Sequence, residues 1–414
     1  AWNTAQTGAD NDSTGITTWT RGYAWLGETL LEEQALATWL CKELSQWPLL
    51  VDSRFRSLLT RLNGSFSLVA RTPDGTLAAV DRLRSIPLFY GSNGHRYLLS
   101  DSADRVRRFC GDNDFDEQCV REFLLARYVT GTDTLCPNVK QIQAGEMVLF
   151  EAGHPPEATR IRYYRFRHGD YFDRSREQLH AMMEDVYHRV FHRLVKSVQG
   201  RRIVVPLSGG LDSRSIVANL KRLGVQDVLC FSYGPEGNWE SKISREVAKR
   251  LGYSWHFVPY TRKRWRTWFW ATRCREYRRY ASGLSSLAHG QDWPALWEMK
   301  ESGVVDNDDV LVPGHSGDFI AGSHIPDKLL HQELLRCGDL VQAVVEKHYA
   351  LWNWQQTGEG TTSLVRRRIL SGLPNTDVST PAAAVDAFEY WDWQERQAKY
   401  IVNSVRVYDY WDHD

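Results

Sequence analysis

The sequence lacks the features that mark several broad classes of protein. Its 51 basic and 51 acidic residues give a formal net charge of zero, so overall charge does not indicate a nucleic-acid or anionic-membrane partner. It contains no run of 18 apolar residues, and we therefore expect no membrane-spanning helix. No Cys-x-x-Cys pair occurs among the seven cysteines, which argues against a structural zinc site.

The cysteines also bear on the cellular compartment. They are an odd number and widely scattered, which fits reduced thiols in the cytoplasm better than a disulfide framework. The polar start Ala1-Trp2-Asn3-Thr4 is unlike a signal peptide, and we expect a cytoplasmic protein. The 414 residues suffice for two or three domains, and 42% hydrophobic content suffices for ordinary cores.

One stretch carries the strongest chemical signal. Ile203 to Pro206 has the composition of a buried strand, Ser208-Gly209-Gly210-Leu211-Asp212-Ser213 follows, and an apolar-periodic helix comes next. A strand, a glycine turn and a helix N-terminus together form a site for phosphate. No Lys follows the glycines, so this is not a Walker loop, and Asp212 is suited to Mg²⁺. The alternative is a Gly-rich turn with no ligand.

The first 150 residues predict short strands joined by tight turns. Leu62–Val69 and Leu77–Val80 flank Thr72-Pro73-Asp74-Gly75, a hairpin turn, and a second turn at Ser92–Gly94 precedes a strand at 97–100. Leu30–Leu44 is the one clear early helix. Consecutive hairpins with few helices predict an α+β layered domain.

These strands also carry a family resemblance. Leu62-Asn63-Gly64-Ser65-Phe66-Ser67-Leu68, Asp81-Arg82 and Ile86–Gly91 resemble the N-terminal domain of glutamine-dependent asparagine synthetases. The resemblance implies that residues 1–155 are a class II glutamine amidotransferase-like, N-terminal-nucleophile-type domain. That family starts with a catalytic Cys, whereas this chain starts with Ala, so we expect either an upstream start or an inactive glutaminase.

The second part of the chain alternates strands with helices. A long helix over 171–198 carries His188 and His192 four residues apart, which we interpret as surface or partner-bonded histidines rather than metal ligands. Strands at 227–233 and 255–260 flank a helix that ends at Gly252. This alternation predicts a parallel sheet with its ligand at the carboxyl ends of the strands.

The same part resembles the synthetase domain of asparagine synthetases. Ser208–Ser213 is similar to the pyrophosphate-binding loop of ATP pyrophosphatases, and Phe231–Gly234 to the segment that follows it. The resemblance implies an α/β ATP-pyrophosphatase domain over 170–414 with ATP and Mg²⁺ as cofactors. It assigns nucleotide binding to Leu207, Ser208, Gly209, Gly210, Leu211, Asp212, Ser213, Ser232, Tyr233, Pro313 and Gly314.

A second glycine-rich loop supports this interpretation. Val310–Pro313 leads into Gly314-His315-Ser316-Gly317-Asp318, which resembles the family's second loop and places Asp318 with Asp212 as a Mg²⁺ ligand. His315 stands where the family has an acid, and Phe319 replaces the second acid of its Asp-Glu pair. We expect both to line the pocket of the acyl substrate, which puts aspartate in doubt as that substrate.

Arginine and tryptophan are concentrated between positions 262 and 279. This segment is typical either of the solvated face of an amphipathic helix or of a site for RNA, an acidic sugar or a nucleotide. Two clusters of tryptophan suggest either an aromatic core or a surface for a flat ligand, and we favour the core: Trp265, Trp268, Trp270 and Trp391, Trp393. His289, Gln291 and Asp292 follow, and we expect them at the same edge of the sheet as the loops.

The end of the chain keeps part of the family pattern. Glu395-Arg396 and Arg406-Val407 match the spacing of its Asp-Arg and Arg-Val segments, and Arg396 joins Asp212 and Asp318 as a predicted catalytic residue. No residue can be assigned to the family's catalytic Lys. We therefore expect the chain to be a fragment, truncated at its C-terminus.

Together, the motifs and the resemblance predict an asparagine synthetase-like, AMP-forming carboxylate–amine ligase. Expected partners are a small-molecule or peptide carboxylic acid and ammonia or an amine, with glutamine only if an upstream Cys exists; no membrane or nucleic acid is expected, and an oligomer stays open. The resemblance suggests a sugar acid of surface polysaccharides as substrate. The alternatives are a lasso-peptide or β-lactam type cyclase, an RNA-modifying ATP pyrophosphatase, and a degenerate non-catalytic scaffold.

Overall fold

The computed structural model divides the chain into two compact units. The residues that it describes are 2–6, 15–46, 52–151, 158–169, 171–331, 335–354, 359–375 and 377–411. The first unit comprises Ala1–Gly169, Gly283–Leu287 and Ile325–Val402, and the second comprises Asp170–Ser282, Ala288–His324 and Asn403–Asp414. Packing thus assigns 325–402 to the first unit, while the predicted division into modules 1–155 and 170–414 stays a prediction. The predicted linker residues Gly153, Pro155 and Pro156 lie outside the described residues.

The secondary structure follows the chain in this order. The strands are β1 Asn3–Gln6, β2 Thr17–Leu26, β3 Thr29–Glu32, β4 Leu62–Thr72, β5 Gly75–Val80, β6 Phe89–Ser92, β7 Tyr97–Ser100, β8 Lys140–Gln141, β9 Glu146–Glu151, β10 Ala158–Arg162, β11 Ile203–Pro206, β12 Val228–Gly234, β13 Ser254–Pro259 and β14 Val310–Leu311. The helices are α1 Glu33–Ser45, α2 Asp52–Arg61, α3 Ala103–Cys110, α4 Glu117–Ala126, α5 Arg176–Val198, α6 Leu211–Arg222, α7 Trp239–Leu251, α8 Arg262–Trp270, α9 Thr272–Ser282, α10 Trp293–Glu301, α11 Gly317–Ile320, α12 Asp327–His331, α13 Cys337–His348, α14 Glu359–Gly372, α15 Pro381–Trp391 and α16 Val402–Tyr410. A π-helical stretch, Asp392–Ile401, joins α15 to α16.

The first unit contains antiparallel sheets. Its larger sheet has the order β1-β2-β4-β5-β9-β10 with β3 beside β2, and a smaller sheet has the order β7-β6-β8. The two predicted hairpins are confirmed: Thr72 pairs with Gly75, and Ser92 pairs with Tyr97. The early helix begins at Glu33 rather than at Leu30, because 29–32 pair with β2 instead.

A buried cluster of charged side chains fastens the C-terminal segment of this unit to its N-terminal part. Lys399 is fully buried and donates to the carbonyl oxygens of Val129 (3.0 Å) and Gly131 (2.8 Å). Its third partner is the carboxylate of Glu395, which also accepts the backbone N–H of Gly131 at 3.0 Å. The ammonium therefore has an acceptor for each of its three N–H bonds.

Glu122 is the second buried carboxylate of this cluster. It pairs with Arg368 at 2.8 Å and accepts the hydroxyl groups of Thr130 (2.6 Å) and Tyr349 (3.0 Å). Arg368 also pairs with Asp133, which is partly exposed. We call Lys399, Glu395, Glu122 and Arg368 the buried charge cluster.

The second unit contains a parallel sheet. Its order is β13-β12-β11-β14, and all three pairings are parallel, as predicted. Helix α7 ends at Gly252, which adopts φ 73° in the left-handed region. Helix α5 begins at Arg176, five residues after the predicted start of the helix, and Ser175 is its N-cap residue in a capping box.

Two further features concern the whole set of described residues. No helix among them is long and apolar enough to cross a membrane. All seven cysteines are free thiols, which agrees with the expectation that no disulfide framework exists.

Candidate functional site

The first predicted loop connects β11 to α6. Gly210 is the N-cap residue of α6, and its N–H donates to the Ser208 hydroxyl at 3.0 Å. The N–H of Ser208 donates to the hydroxyl of Ser213 at 3.1 Å. A Cβ at position 209 would lie 2.6 Å from the Trp239 ring, so a larger residue there would displace that exposed side chain. The loop is thus a compact turn that presents the first turn of α6 at the carboxyl edge of the sheet.

The second predicted loop follows β14 and touches the first. A Cβ at position 314 would lie 2.8 Å from the backbone nitrogen of Ser213. A Cβ at position 317 would lie 2.2 Å from Cγ of Asp212. Both glycines are therefore required by close approach, and the Asp212 carboxylate lies against the backbone of the loop that carries Asp318.

A cavity of about 210 Å³ lies where the two loops meet. The predicted residues that line it are Ser208, Gly210, Asp212, Ser213, Tyr233, Pro313 and Gly314. His289, Gln291, Asp292 and His315 line it as well, at the edge where they were expected. Pro206 completes the lining, and the sequence-based set omitted it. Its place could have been read from the strand itself, because it is the last residue of β11.

The remaining predicted residues lie elsewhere. Leu207 is buried in the core below the loop, and Leu211 is 75% exposed. Asp318 is exposed in the first turn of α11, where Ser323 donates to its carboxylate at 3.3 Å. Arg396 belongs to the first unit, on the π-helical stretch, and its catalytic role stays a prediction.

One wall of the cavity is a hydrogen-bonded group around Asp292. Its carboxylate accepts the hydroxyl of Tyr233 and, at 2.7 Å, that of Tyr408. His289 Nε2 lies 3.9 Å from the same carboxylate, and the rings of His289 and His315 are 6.2 Å apart. Burial lowers the pKa of His315, so its imidazole is neutral at pH 7. This wall combines fixed polar groups with an uncharged base.

Two buried polar atoms here have no hydrogen-bond partner among the described residues. They are Nδ1 of His315, which lines the cavity, and the hydroxyl oxygen of Ser232, which does not line it but precedes Tyr233 at the carboxyl end of β12. Buried polar atoms are rarely left unpaired, so such atoms beside a cavity mark a place for a bound group. The cavity therefore suits a polar ligand.

The donor set fits Mg²⁺ and phosphate. Asp212 in the cavity wall carries hard oxygen atoms of the kind that Mg²⁺ prefers, and the glycines allow a phosphate to approach the backbone. The part of Asp318 as a second ligand stays a prediction. Among the described residues no three His, Cys, Asp or Glu side chains gather into a metal site. A Mg²⁺ ion here would take its other ligands from phosphate and water, as Mg²⁺ commonly does.

Comparisons with known proteins agree with this chemistry. Residues 188–268 match the family model described as asparagine synthase. The chain is 30% identical over 212 residues to a probable glutamine-hydrolyzing asparagine synthetase of Acanthamoeba polyphaga mimivirus. This match covers 50% of this chain and 36% of that protein. The chain is also 42% identical over 65 residues to a 7-cyano-7-deazaguanine synthase of Desulfatibacillum aliphaticivorans. That match covers 16% of this chain and 28% of the synthase. The matched part thus spans about a third of these relatives.

Solved structures match only at a low level. The glutamine phosphoribosylpyrophosphate amidotransferase of B. subtilis is 9% identical with a TM-score of 0.29, over 62% of this chain and 72% of its own. An allosteric regulatory enzyme of purine biosynthesis is 10% identical with a TM-score of 0.28, over 60% and 61%. Scores this low carry no argument about the fold.

Proposed function

We propose that the protein is an ATP-dependent ligase that forms amide bonds, because residues 188–268 match the asparagine synthase family model and the chain is similar to a probable asparagine synthetase. ATP is cleaved between its α- and β-phosphates to activate a carboxylic acid. The observation that carries the proposal is the contact of the two loops, in which the Asp212 carboxylate lies against Gly317, next to Asp318.

Each loop residue has a task that follows from its position. The hydroxyl groups of Ser208 and Ser213 and the N-terminal turn of α6 bind the β- and γ-phosphates, because this is where N–H groups and hydroxyls converge. The unpaired Ser232 hydroxyl and the backbone near Leu207 contact the nucleoside. Asp212 and Asp318 hold Mg²⁺, which would neutralise negative charge on the departing pyrophosphate.

The proposed reaction has two steps. An oxygen of the substrate carboxylate attacks the α-phosphorus of ATP, the bond from that phosphorus to the bridging oxygen breaks, and pyrophosphate leaves. The amine nitrogen then attacks the acyl carbon of the adenylate, loses a proton, and AMP leaves as the amide forms. The loops act by fixing the phosphates in line, which is an orientation effect.

The finer parts of the proposal concern the modules and substrates. We propose a class II glutamine amidotransferase-like module over 1–155 and an ATP-pyrophosphatase module over 170–414, with Arg396 acting in catalysis. The acyl substrate is a sugar acid rather than aspartate, since neutral His315 lines the cavity where the family carries an acid. Ammonia or an amine supplies the nitrogen.

Pyrophosphate exchange tests the proposal. The protein is given ATP, Mg²⁺, labelled pyrophosphate and one carboxylic acid at a time: aspartate, uronic acids, their nucleotide conjugates, or peptides. We expect acid-dependent exchange that falls about a hundredfold in Asp212→Asn, since a metal ligand contributes several kcal/mol. Asp227→Asn is the matched control, because Asp227 is exposed and precedes β12 at the opposite edge of the sheet. The ligase proposal is wrong if no acid supports exchange and Asp212→Asn behaves as wild type.

A second variant tests the loop contact itself. Gly317→Ala places a methyl group 2.2 Å from Asp212 Cγ, so the carboxylate or the loop must move. We expect exchange to fall at least tenfold while the protein stays folded, because a displacement of about 1 Å in a reacting group can cost that much. Gly338→Ala tests the general cost of such a change, since Gly338 also lies in the first turn of a helix without a positive φ but has open space around it. Equal loss of exchange in both variants would contradict the role of the contact.

A further inference from the structure

A second cavity lies beside the nucleotide cavity. It measures about 380 Å³, follows the carboxyl end of β13 and is lined by Tyr260, Thr261, Arg262, Trp265 and Arg266. Since β13 runs parallel to β12, this end lies at the same edge of the sheet as the loops. We call it the arginine–tryptophan groove. Its size is in the range of small-molecule sites.

A pair of stacked tyrosines joins the two cavities. The ring of Tyr260, in the groove, stacks on that of Tyr233, in the nucleotide cavity, with centroids 5.0 Å apart and planes at 16°. The Tyr260 hydroxyl donates to the carbonyl oxygen of Gln291, which also lines the nucleotide cavity. The wall between the cavities is therefore one rigid, hydrogen-bonded layer, and a single ligand can extend along it.

The charges in the groove are uncompensated, in contrast to those beside it. Arg264 is neutralised by Glu298 at 2.9 Å, and Arg273 by Glu301 at 2.7 Å. Arg262 and Arg266 are exposed and have no acidic partner within the described part of the chain. Two adjacent guanidinium groups without a carboxylate form a site that is complementary to an anion.

Aromatic rings complete the groove. Trp265 is 40% exposed and its ring packs 5.7 Å from that of Tyr260, and Trp270 farther along α8 is 73% exposed. The expectation that Trp265 and Trp270 belong to the core is therefore wrong, while Trp268 is buried as expected. Exposed tryptophan faces beside a cavity are typical of sites that stack on flat ligands.

We propose that the arginine–tryptophan groove binds the distal part of the acyl substrate, and that this part is a sugar ring carrying a phosphate or diphosphate group. Arg262 and Arg266 bind the phosphate oxygens, and Trp265 packs on a ring, while the carboxylate reaches the nucleotide cavity past Tyr260 and Tyr233. This inference rests on the proposed ligase function. A small anionic ligand is favoured over nucleic acid because only two arginines line the groove and the chain has no net charge.

The test compares phosphorylated and free forms of one acid. Glucuronate, glucuronate 1-phosphate and UDP-glucuronate are each used in pyrophosphate exchange with wild type, Arg262→Gln/Arg266→Gln and Trp265→Ala. The matched control is Arg250→Gln, which removes an exposed arginine from the far end of α7. We expect the double variant to raise KM for the phosphorylated acids about tenfold or more, the effect of losing a charge-assisted hydrogen bond, and to leave KM for glucuronate and ATP unchanged.

Direct binding separates this inference from the ligase proposal. Equilibrium dialysis of labelled UDP-glucuronate without ATP is expected to show binding to wild type and to Arg250→Gln, and at least tenfold weaker binding to the double variant. If no acid supports exchange but UDP-glucuronate still binds wild type more tightly than the double variant, the ligase function is wrong and the groove remains a binding site. No binding to wild type, equal KM in the double variant, or a raised KM for ATP instead would overturn the groove proposal.

Discussion

The buried charge cluster and the two nucleotide loops use charged residues in opposite ways. In the cluster, Lys399 and Glu395 are fully buried, and each of the three N–H bonds of Lys399 has an acceptor. In the loops, Asp212 and Asp318 are exposed, and Ser232 keeps an unpaired hydroxyl. One region satisfies its polar groups internally, and the other leaves them available.

The difference indicates which acids serve stability and which serve chemistry. A buried ion pair holds elements in one register, since removing either partner leaves an uncompensated charge in the interior. An exposed carboxylate contributes little to stability, but it can bind a cation and substrate. Mutations in the two regions should therefore separate cleanly into effects on unfolding and effects on activity.

The largest expected effect is in the buried charge cluster. Lys399→Met leaves Glu395 ionised and buried without its partner, and we expect a loss of about 3–5 kcal/mol in the free energy of unfolding, measured by urea denaturation. The double variant Lys399→Met/Glu395→Gln should recover part of that loss. A cost below about 1 kcal/mol in the single variant would contradict a structural role for this pair.

The second effect depends on pH and concerns Asp81. Burial raises its pKa to about 6, although the N–H groups of Phe66, Leu83 and Ser85 oppose the shift. The folded state therefore binds the proton more tightly than the unfolded state, whose carboxyl has a pKa near 3.8.

This shift fixes the sign of the pH dependence. The stabilisation by protonated Asp81 is complete below pH 4 and is lost as the pH rises through 6. At roughly 1.4 kcal/mol per pKa unit, the free energy of unfolding should fall by about 3 kcal/mol. Urea denaturation of wild type and Asp81→Asn between pH 4 and 7 measures it. The variant should lack this decline, and parallel curves for the two proteins would count against the assignment.

The third effect lies in the loops. Asp318→Asn should lower pyrophosphate exchange by about a hundredfold, roughly 2–3 kcal/mol of transition-state stabilisation. Because Asp318 is exposed, the free energy of unfolding should change by less than about 0.5 kcal/mol. If Asp318→Asn loses stability but keeps its exchange rate, Asp318 serves stability and not chemistry, contrary to the distinction between the two regions.

The smallest expected effect is at an exposed ion pair, which sets the baseline. Arg250 is 76% exposed and pairs with Glu246 at 2.7 Å, one turn away on α7. Arg250→Gln should change the free energy of unfolding by no more than about 0.5 kcal/mol and leave exchange unaltered. A larger loss in thermal or urea unfolding would show that exposure alone does not distinguish the two regions.

Local features could be predicted from the sequence because their causes are local. The 72–75 hairpin, the end of α7 at Gly252 and the parallel pairing of β11 with β12 follow from turn residues and apolar spacing. The glycine-rich loops could also be located, since strand, glycines and acid lie within a few residues. The same rule placed most of the residues that line the cavity at the carboxyl edge, but it missed Pro206 and wrongly included Leu207 and Leu211.

Features that depend on distant segments could not be predicted in this way. Apolar spacing predicts a helix over 171–198, and the structure has one over 176–198. Met182 and Val186 on it are nevertheless exposed, because periodicity indicates an apolar face and not what covers it. The close approach of Asp212 to Gly317 joins positions about a hundred residues apart. The association of 325–402 with the N-terminal segment likewise leaves no local signature.

That association has a consequence for synthesis on the ribosome. Glu122 finds its ion-pair partner Arg368 and the hydroxyl of Tyr349 only after position 325, and Leu125 and Tyr128 pack in a core formed mainly by residues after that position. The sheet core of the same unit, by contrast, is closed by residue 163. The nascent chain therefore carries a finished sheet while residues 170–324 are made, with Glu122 still without its arginine partner and with apolar surface uncovered. That surface is completed only after residues 325–402 have been synthesised, and we expect chaperones to bind it in the interval.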